Sequence, residues 1–272
     1  MLPKTARQAN GFTLIELLVV IAIIALLLSI IVPSLKRAKI AAQKTVCMSN
    51  LKQWGVVYEM YINDNNGFFP PSCLDPAISP RGAGAWFVSL QPYYRSAEIL
   101  FCPSSISPPR PKPDYFNNRW QWEIEWWSST FPVLMNDPLI AQTAGSYGEN
   151  WWITSTASED PAVYPDANKY KRAGSRGFAM SAVPVLGDCG AFLARPTESS
   201  NPPESDGDYT HIHGDEMRRI CTNRHSTGSV NWVFADSSVQ PVALKQLWQT
   251  QWHKNWVPRT PTWPEWMRKF PE

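Results

Sequence analysis

The chain opens with one long apolar stretch and becomes much more polar after it. Between positions 12 and 32, three side chains are polar, namely Thr13, Glu16 and Ser29, and Glu16 carries the sole charge. At about 1.5 Å of rise per residue, a helix of this length extends about 31 Å, enough to cross a hydrocarbon core of about 30 Å. The pattern therefore predicts a single membrane-spanning helix that carries a more polar domain.

Beyond Pro33 the apolar positions recur on one face of a continuing helix. They are separated by four, three, four and three positions: Cys47, Leu51, Trp54, Tyr58 and Tyr61. This spacing is typical of an amphipathic helix, and the opposite face is polar. The run 63–67, rich in Asn and ending in Gly, predicts a C-terminal cap. We therefore predict one helix from residue 12 to about residue 64, kinked near Pro33.

After residue 66 the pattern changes to short segments separated by Pro-rich loops. The 25 prolines argue against further long helices. Residues 85–90 predict a short packed helix, and 176–188, 230–235 and 239–242 predict strands. A turn at Asp236 joins the last two strands into a hairpin. The predicted fold class is α+β, with the long helix (assembly part 12–33, amphipathic part 34–66) packed on an antiparallel sheet domain with long loops (67–243).

The C-terminal tail, residues 244–272, is rich in Trp and Pro. Three tryptophans recur at every fourth position: Trp248, Trp252 and Trp256. This spacing predicts a short helix that lays a Trp stripe on the domain or on a neighbour. Prolines at 258, 261 and 264 then argue against helix, which leaves an extended end that contains Trp263 and Trp266.

Charge and cysteine content narrow the classes of function. A net charge of +2 and a pI of about 8.2 are too balanced to indicate nucleic-acid binding. The cysteines suit an oxidising compartment, and their odd number leaves at least one reduced or paired between chains. No two of them form a CxxC pair, which argues against a zinc knuckle or a redox motif: Cys47, Cys73, Cys102, Cys189 and Cys221.

A short basic leader (1–11) precedes the apolar stretch and ends in the sequence GFTLIE, from Gly11 to Glu16. A carboxylate four residues into an apolar helix costs about 2.5–3.5 kcal/mol on insertion scales, so Glu16 needs a partner or a role. The leader, the Gly-Phe junction and the Glu together resemble the processing site of type IV prepilins and type II secretion pseudopilins. A secretory signal peptide would have a shorter apolar core and an A-x-A-like site. An ordinary signal anchor would not need Glu16.

The resemblance implies that a prepilin peptidase cuts after Gly11 and methylates Phe12. It implies that Glu16 serves assembly by meeting the Phe12 amine of a neighbouring subunit. It also implies a structural filament subunit rather than an enzyme, single-pass in the inner membrane, with its C-terminal domain periplasmic or at the cell surface. Positive charges after the helix outnumber those before it, against the positive-inside tendency, so this orientation depends on the resemblance.

Further landmarks resemble a bacterial pilin-like subfamily with a C-terminal His-X9-Asp-Gly motif: 47–53, 66–70, 100–104 and 146–148. Here ten residues separate His225 from Asp236, and Ser237 replaces the Gly that supplies a positive φ. We interpret His225 and Asp236 as structural, because no plausible nucleophile accompanies them. Cys47 and Cys102 both lie in these landmarks, so the resemblance predicts a disulfide between them. Cys189 and Cys221 are a weaker second pair.

Two segments admit binding hypotheses. A Trp cluster at 120–127 could form a core or stack on sugar rings, and the second interpretation makes the protein a minor pilin-like module that binds polysaccharide. Asp206, Asp208 and Asp215 could hold Ca²⁺, and major pseudopilins resemble this in having a calcium loop. The segment lacks EF-hand spacing, and a solvated loop is the favoured interpretation. His211 and His213 could bind a softer metal.

Overall fold

The computed structural model of the protein describes residues 13–71, 86–105, 127–129, 143–155, 162, 166–174, 179–190, 193–206, 217–220 and 223–271. Gly11, Phe12, Cys73, Cys221 and the predicted Trp cluster up to residue 126 lie outside the described residues. The chain divides into two compact units, Met1–Ala42 and Gln43–Glu272.

One helix, α1, runs from Leu14 to Asp64 and continues through Pro33, which confirms the predicted helix; the kink at Pro33 stays a prediction. The helix ends where its capping residues predict. Asn66 takes a left-handed conformation with φ of 54°. The Gly67 N–H donates to the Ile62 carbonyl at 2.8 Å. This 6→1 bond is the signature of a Schellman cap, which satisfies the last carbonyls of the helix.

The first unit presents an apolar surface. Large apolar side chains are exposed along α1 from Leu14 (79%) to Leu35 (65%). Among the described residues, α1 is the helix that is long and apolar enough to cross a membrane. A helix that is apolar on all sides must be covered by lipid or by other apolar helices.

The second unit contains a five-stranded sheet of order β5-β3-β4-β6-β7. Its strands are β3 (Tyr147–Asn150), β4 (Pro184–Asp188), β5 (Leu193–Ala194), β6 (Ser229–Phe234) and β7 (Val239–Ala243). A separate antiparallel pair joins β1 (Trp127–Ser129) and β2 (Thr143–Gly145). Three pairings of the sheet are antiparallel, but β3 and β5 are parallel. The predicted α+β fold is confirmed, and its sheet is mixed, with one parallel pairing where an antiparallel sheet was expected. The chain reverses after β4 and then lies on the far side of β3, which makes β5 run in the direction of β3.

The predicted β6–β7 hairpin is confirmed, with Val233 opposite Val239 next to the turn. Ser237 has a φ of 61°, the conformation that a Gly would adopt more readily. The Asp236 carboxylate accepts a hydrogen bond from the Ser238 N–H at 2.9 Å and so closes the turn. In the predicted strand 176–188, residues Met180–Ala182 instead form a 3-10 turn.

The apolar stripe of α1 packs into the core of the second unit, as predicted. Trp54 is fully buried, and its ring contacts Trp86 and Tyr94 edge-on at centroid distances of 5.0 and 4.9 Å. Its indole N–H donates to the Ile99 carbonyl at 2.6 Å. Trp86 belongs to the short helix α2 (Trp86–Ser89), which confirms the packed helix predicted there. Trp54 therefore joins α1 to α2 and to the 3-10 turn that contains Ile99.

The C-terminal tail forms a second core. Trp248, Trp252 and Trp256 are buried on this domain, but the helix predicted through them is wrong, because its 3-10 turn stops at Trp248. The Trp252 and Trp256 indoles donate to the carbonyls of Leu247 and Trp248, at 2.7 and 3.2 Å. The two indole groups thus bond to backbone carbonyls that would accept backbone N–H groups in a continuing helix.

The end of the tail also differs from the prediction. Trp266 lies in a short helix, α4 (Glu265–Arg268), rather than in an extended segment. A further short helix, α3 (Met217–Ile220), precedes β6. The described helices after residue 66 are therefore all short, as the proline content predicts.

A carboxyl group is buried in β3. The Tyr58 hydroxyl donates to Glu149 Oε1 at 2.8 Å, and both side chains are buried. Burial raises the pKa of the Glu149 carboxyl well above its usual range, and the hydrogen bond from Tyr58 opposes that shift only in part. Folding therefore favours the protonated acid.

Ionisation of the buried Glu149 carboxyl lowers the free energy of unfolding more strongly as the pH rises. Glu149→Gln is expected to remove this pH-dependent loss. A carboxyl whose pKa is higher in the folded state contributes its full stability below its unfolded pKa and loses it as the pH rises toward the folded value. The variant and the wild type should have the same urea midpoint near pH 4, and the variant should become the more stable as the pH approaches 8. The test is urea unfolding of the detergent-solubilised full chain, followed by Trp fluorescence. Glu59→Gln, at an exposed site on α1, is the control; parallel curves for wild type and Glu149→Gln would contradict the expectation.

Candidate functional site

The first candidate site is the start of α1. Thr13 precedes the helix, and its hydroxyl accepts a hydrogen bond from the Glu16 N–H at 3.3 Å. Glu16 Oε2 in turn accepts from the Thr13 N–H at 2.8 Å and from the Thr13 hydroxyl at 2.7 Å. This reciprocal arrangement is a capping box, which satisfies backbone donors that the first helical turn leaves open. The negative charge also suits the N-terminal end of the helix dipole.

The sequence interpretation gave Glu16 an assembly role and missed the capping box. The signal was present, because a Thr three residues before a Glu at a helix start is the usual pattern of such a box. In the structure, Glu16 is exposed and bonds within its own chain. An assembly role would add a contact between subunits to this local one.

The second candidate site is a buried cluster of four side chains from four separate parts of the second unit. Cys47 comes from α1, Cys102 from the loop after the Ala97–Leu100 turn, Asp188 from the end of β4 and His225 from the turn before β6. All four are buried, and one sulfur, nitrogen or oxygen atom from each lies within 4.8 Å of the others. The fold therefore brings two thiols, an imidazole and a carboxyl together at a buried position.

Close contacts join these groups in pairs. Cys47 Sγ lies 3.5 Å from Asp188 Oδ1, and Cys102 Sγ lies 3.6 Å from His225 Nε2. His225 Nε2 also lies 3.0 Å from Asp188 Oδ2. The predicted disulfide between Cys47 and Cys102 is not formed in this structure, because both are reduced, although their sulfurs lie within 4.8 Å of each other. Cys189, of the weaker pair, is also reduced, and its proposed partner lies outside the described residues.

Surrounding groups hold the cluster in place. Arg224 donates to Asp188 Oδ1 at 3.1 Å and to the Ser146 carbonyl at 2.6 Å. The Asn231 N–H donates to Asp188 Oδ2 at 2.9 Å, and its side-chain amide donates to Cys47 Sγ at 3.3 Å. Ser104 Oγ lies 3.1 Å from His225 Nδ1. Asp188 and His225 are thus each held by hydrogen-bonding partners outside the four-residue cluster.

The electrostatics favour the ionised form of three of the four groups, whereas burial raises the pKa of the fourth group, the Cys47 thiol, well above its usual range. Burial opposes the charge of Asp188, but hydrogen bonding from His225 and the Arg224 guanidinium lower its pKa to about 2. Burial also opposes the charge of His225, yet Asp188 raises its pKa to about 9. Burial raises the pKa of Cys102, but hydrogen bonds from Cys47 and His225 outweigh it and bring the value to about 6. One thiol of the pair therefore ionises readily near neutral pH.

The two residues of the His-X9-Asp-Gly-like motif lie in different surroundings. Asp236 is exposed and closes a turn, which agrees with a structural role. His225 is a member of the buried cluster, a role that the sequence interpretation missed together with Asp188. Asp188 lies at the end of a strand with no motif around it, and no local signal marks it.

The candidate calcium residues are mostly outside the described part of the chain. Asp206 is exposed and accepts a hydrogen bond from the Asn223 side chain at 3.0 Å. Asp208, Asp215, His211 and His213 lie outside the described residues. The calcium site stays a prediction.

One family model and two relatives match parts of the chain. Residues 6–32 match the family model for the prokaryotic N-terminal methylation motif. The chain is 48% identical to the major component PilA4 of the type IV wide pilus of Thermus thermophilus over 62 residues, which are 23% of this chain and 47% of that relative. The chain is 37% identical to the type II secretion system core protein G of Pseudomonas aeruginosa over 59 residues, which are 22% of this chain and 42% of that relative.

The chain thus spans less than half the length of the curated relatives that it matches. No solved structure matches it. The predicted resemblance to type IV prepilins and type II secretion pseudopilins is confirmed, and it rests on the motif and on about 60 residues shared with each relative.

Proposed function

We propose that the chain is a pilin-like structural subunit of a type II secretion or type IV pilus-like system. The observation that carries the proposal is the N-terminal methylation motif, which overlaps the exposed apolar half of α1. Two relatives, a major component of a pilus and a core protein of a secretion system, support it. The protein in this proposal is a filament component and not an enzyme.

Processing follows from the motif. A prepilin peptidase cuts between Gly11 and Phe12 and methylates the Phe12 amine, which keeps its positive charge. The apolar helix then holds the chain in the inner membrane by a single pass, with the second unit in the periplasm or at the cell surface. Assembly brings apolar helices of neighbouring subunits side by side, so that exposed side chains between Leu14 and Leu35 become covered.

Glu16 supplies the polar contact of that apolar core. Its carboxylate meets the Phe12 amine of an adjacent subunit, and in surroundings of low dielectric constant such a pair fixes register more than it adds net stability. The capping box already points the carboxylate toward the N-terminal end of α1. A bare carboxylate at this depth would otherwise be a cost to membrane insertion.

The polysaccharide-binding alternative gains no support from the described tryptophans. None of those whose side chains the structure describes is exposed, and most lie in the two cores: Trp54, Trp86, Trp151, Trp152, Trp232, Trp248, Trp252 and Trp256. Stacking on a sugar ring requires an exposed aromatic face. The Trp cluster at 120–127, on which this alternative depends, lies outside the residues whose side chains the structure describes. We retain the filament-subunit proposal because the motif and the two relatives support it.

Glu16→Ala is expected to leave the subunit in the membrane but to prevent its co-assembly. Removal of the carboxylate relieves an insertion cost of about 2.5–3.5 kcal/mol, so the membrane level should hold or rise. Loss of the partner for the Phe12 amine should abolish crosslinking between subunits. The measurement is subunit crosslinking in cells that make each variant at equal membrane levels.

Two further variants separate the roles of Glu16. Glu16→Gln keeps an acceptor oxygen for the capping box but loses most of the attraction to an ammonium group, so it should assemble poorly; Glu16→Asp should be intermediate. Ser29→Ala is the matched control, because the Ser29 hydroxyl bonds to the Leu26 carbonyl of its own helix. Normal assembly of Glu16→Ala would refute the pairing of Glu16 with the Phe12 amine. Normal assembly of Glu16→Gln would mean that Glu16 acts only by capping α1.

A further inference from the structure

The cluster of Cys47, Cys102, Asp188 and His225 has the donor set of a metal centre. We propose that these four side chains form a buried structural site for a divalent ion of the zinc type. The site would tie α1 to the ends of β4 and β6 within the second unit. This inference is independent of the filament role, since it depends on no residue before Cys47.

The geometry fits a tetrahedral ion. Zinc bonds of about 2.0–2.3 Å place neighbouring ligand atoms about 3.3–3.8 Å apart. The observed separations are 3.5 Å from Cys47 Sγ to Asp188 Oδ1 and 3.6 Å from Cys102 Sγ to His225 Nε2. The shorter contact, 3.0 Å from His225 Nε2 to Asp188 Oδ2, needs to open by a few tenths of an ångström. The two Asp188 contacts involve different carboxylate oxygens, and the four ligand atoms lie within 4.8 Å of one another. Side-chain rotations must therefore change some separations by up to about 1 Å to give tetrahedral spacing.

The charges of the site balance when the ion is present. Two thiolates and one carboxylate carry three negative charges, and a divalent cation with the Arg224 guanidinium supplies three positive charges. Arg224 already contacts Asp188 Oδ1 at 3.1 Å, with both side chains fully buried. With a neutral His225, the occupied site therefore carries no net charge, so binding the ion adds no cost of unbalanced buried charge.

The neighbouring groups match the outer partners of a zinc site. Metal-binding His residues usually donate the other ring N–H to a nearby acceptor, which fixes the ring and its tautomer. Ser104 Oγ, 3.1 Å from His225 Nδ1, is placed for that role. The Asn231 amide donates to Cys47 Sγ, a contact that stabilises a thiolate. The Asn231 amide nitrogen also lies 3.0 Å from His225 Nε2, and this contact must give way when Nε2 binds the ion.

The ligand types select the kind of metal and the kind of site. Thiolate and imidazole ligands favour zinc over calcium or magnesium, which prefer oxygen. Four protein side chains complete a tetrahedral shell and leave no position for a substrate, which is typical of a structural centre. This donor set differs from that of the acidic loop around Asp206.

The test is the metal content of the full-length chain, extracted from membranes in detergent without chelators and incubated with Zn²⁺. Mass spectrometry of the elements should find one equivalent of zinc per chain. Co²⁺ in place of Zn²⁺ should give the visible absorption of a tetrahedral thiolate site. Cys102→Ala and His225→Ala should lose the zinc. Cys189→Ser, at a reduced and buried cysteine outside the four ligands, should retain it.

A milder variant keeps the proposal testable if the ligand variants fail to fold. Ser104→Ala leaves all four ligands and should weaken Co²⁺ binding about 10-fold, the size expected for an outer partner of a metal-binding His. Folded wild-type chain without stoichiometric metal after incubation with Zn²⁺ would overturn the proposal. A peptide map that shows Cys47 and Cys102 joined in a disulfide would also overturn it.

Discussion

Gly11→Val is expected to abolish processing, so that the chain stays in the membrane with its leader attached. The residue lies at the proposed cut, directly before Phe12, within the matched motif. A β-branched side chain restricts the backbone and crowds the bond that the peptidase must reach. The expected result is the loss of all detectable mature chain, followed as a shift in electrophoretic mobility and by intact mass.

Ala9→Val is the matched control for that experiment. It adds the same side chain two residues upstream of the junction, within the leader that is removed. It should be processed like the wild type. Normal processing of Gly11→Val would show that the Gly-Phe junction is not the cleavage site, and it would remove the main reason for the assembly role of Glu16.

Trp54→Ala is expected to lower the free energy of unfolding of the second unit by about 3–5 kcal/mol. The indole is fully buried where α1, α2 and the loop before Cys102 meet, and its N–H satisfies the Ile99 carbonyl. Truncation therefore leaves a cavity and an unpaired buried acceptor. Urea unfolding of the full chain in detergent, followed by circular dichroism, measures the loss.

Val56→Ala is the control on the same helix. Its side chain is 46% exposed, so the change should stay within about 0.5 kcal/mol of the wild type. A loss below about 1 kcal/mol for Trp54→Ala would contradict the packing of α1 against the domain. It would also weaken the metal proposal, because Cys47 reaches its cluster through the same helix face.

The features that the sequence predicted correctly depend on local signals. The four-and-three spacing from Cys47 to Tyr61 defines the buried face of α1 whatever it packs against. Asn66 and Gly67 end the helix through their own backbone preferences. The turn at Asp236 likewise needs just its own residues and the two strands beside it. The N-terminal motif is a local signal as well, and the comparisons confirm it.

The features that the sequence did not predict depend on distant residues. Cys47 and Asp188 are 141 positions apart, and Cys102 and His225 are 123 apart, so no spacing rule brings them together. The prediction of a helix in the tail is wrong because the Trp252 indole N–H donates to a backbone carbonyl. The spacing of the tryptophans does not indicate that hydrogen bond. The parallel strand β5 follows from the place of β3 in the sheet, which is also a tertiary property.

The N-terminus of the chain isolated from bacterial membranes is the most direct test of the central claim. Intact-mass and peptide mass spectrometry should find a mature chain that lacks residues 1–11 and begins with N-methylated Phe12. That result would establish processing as a pilin-like subunit. A chain that begins at Met1, or at any residue beyond Ser29, would contradict it.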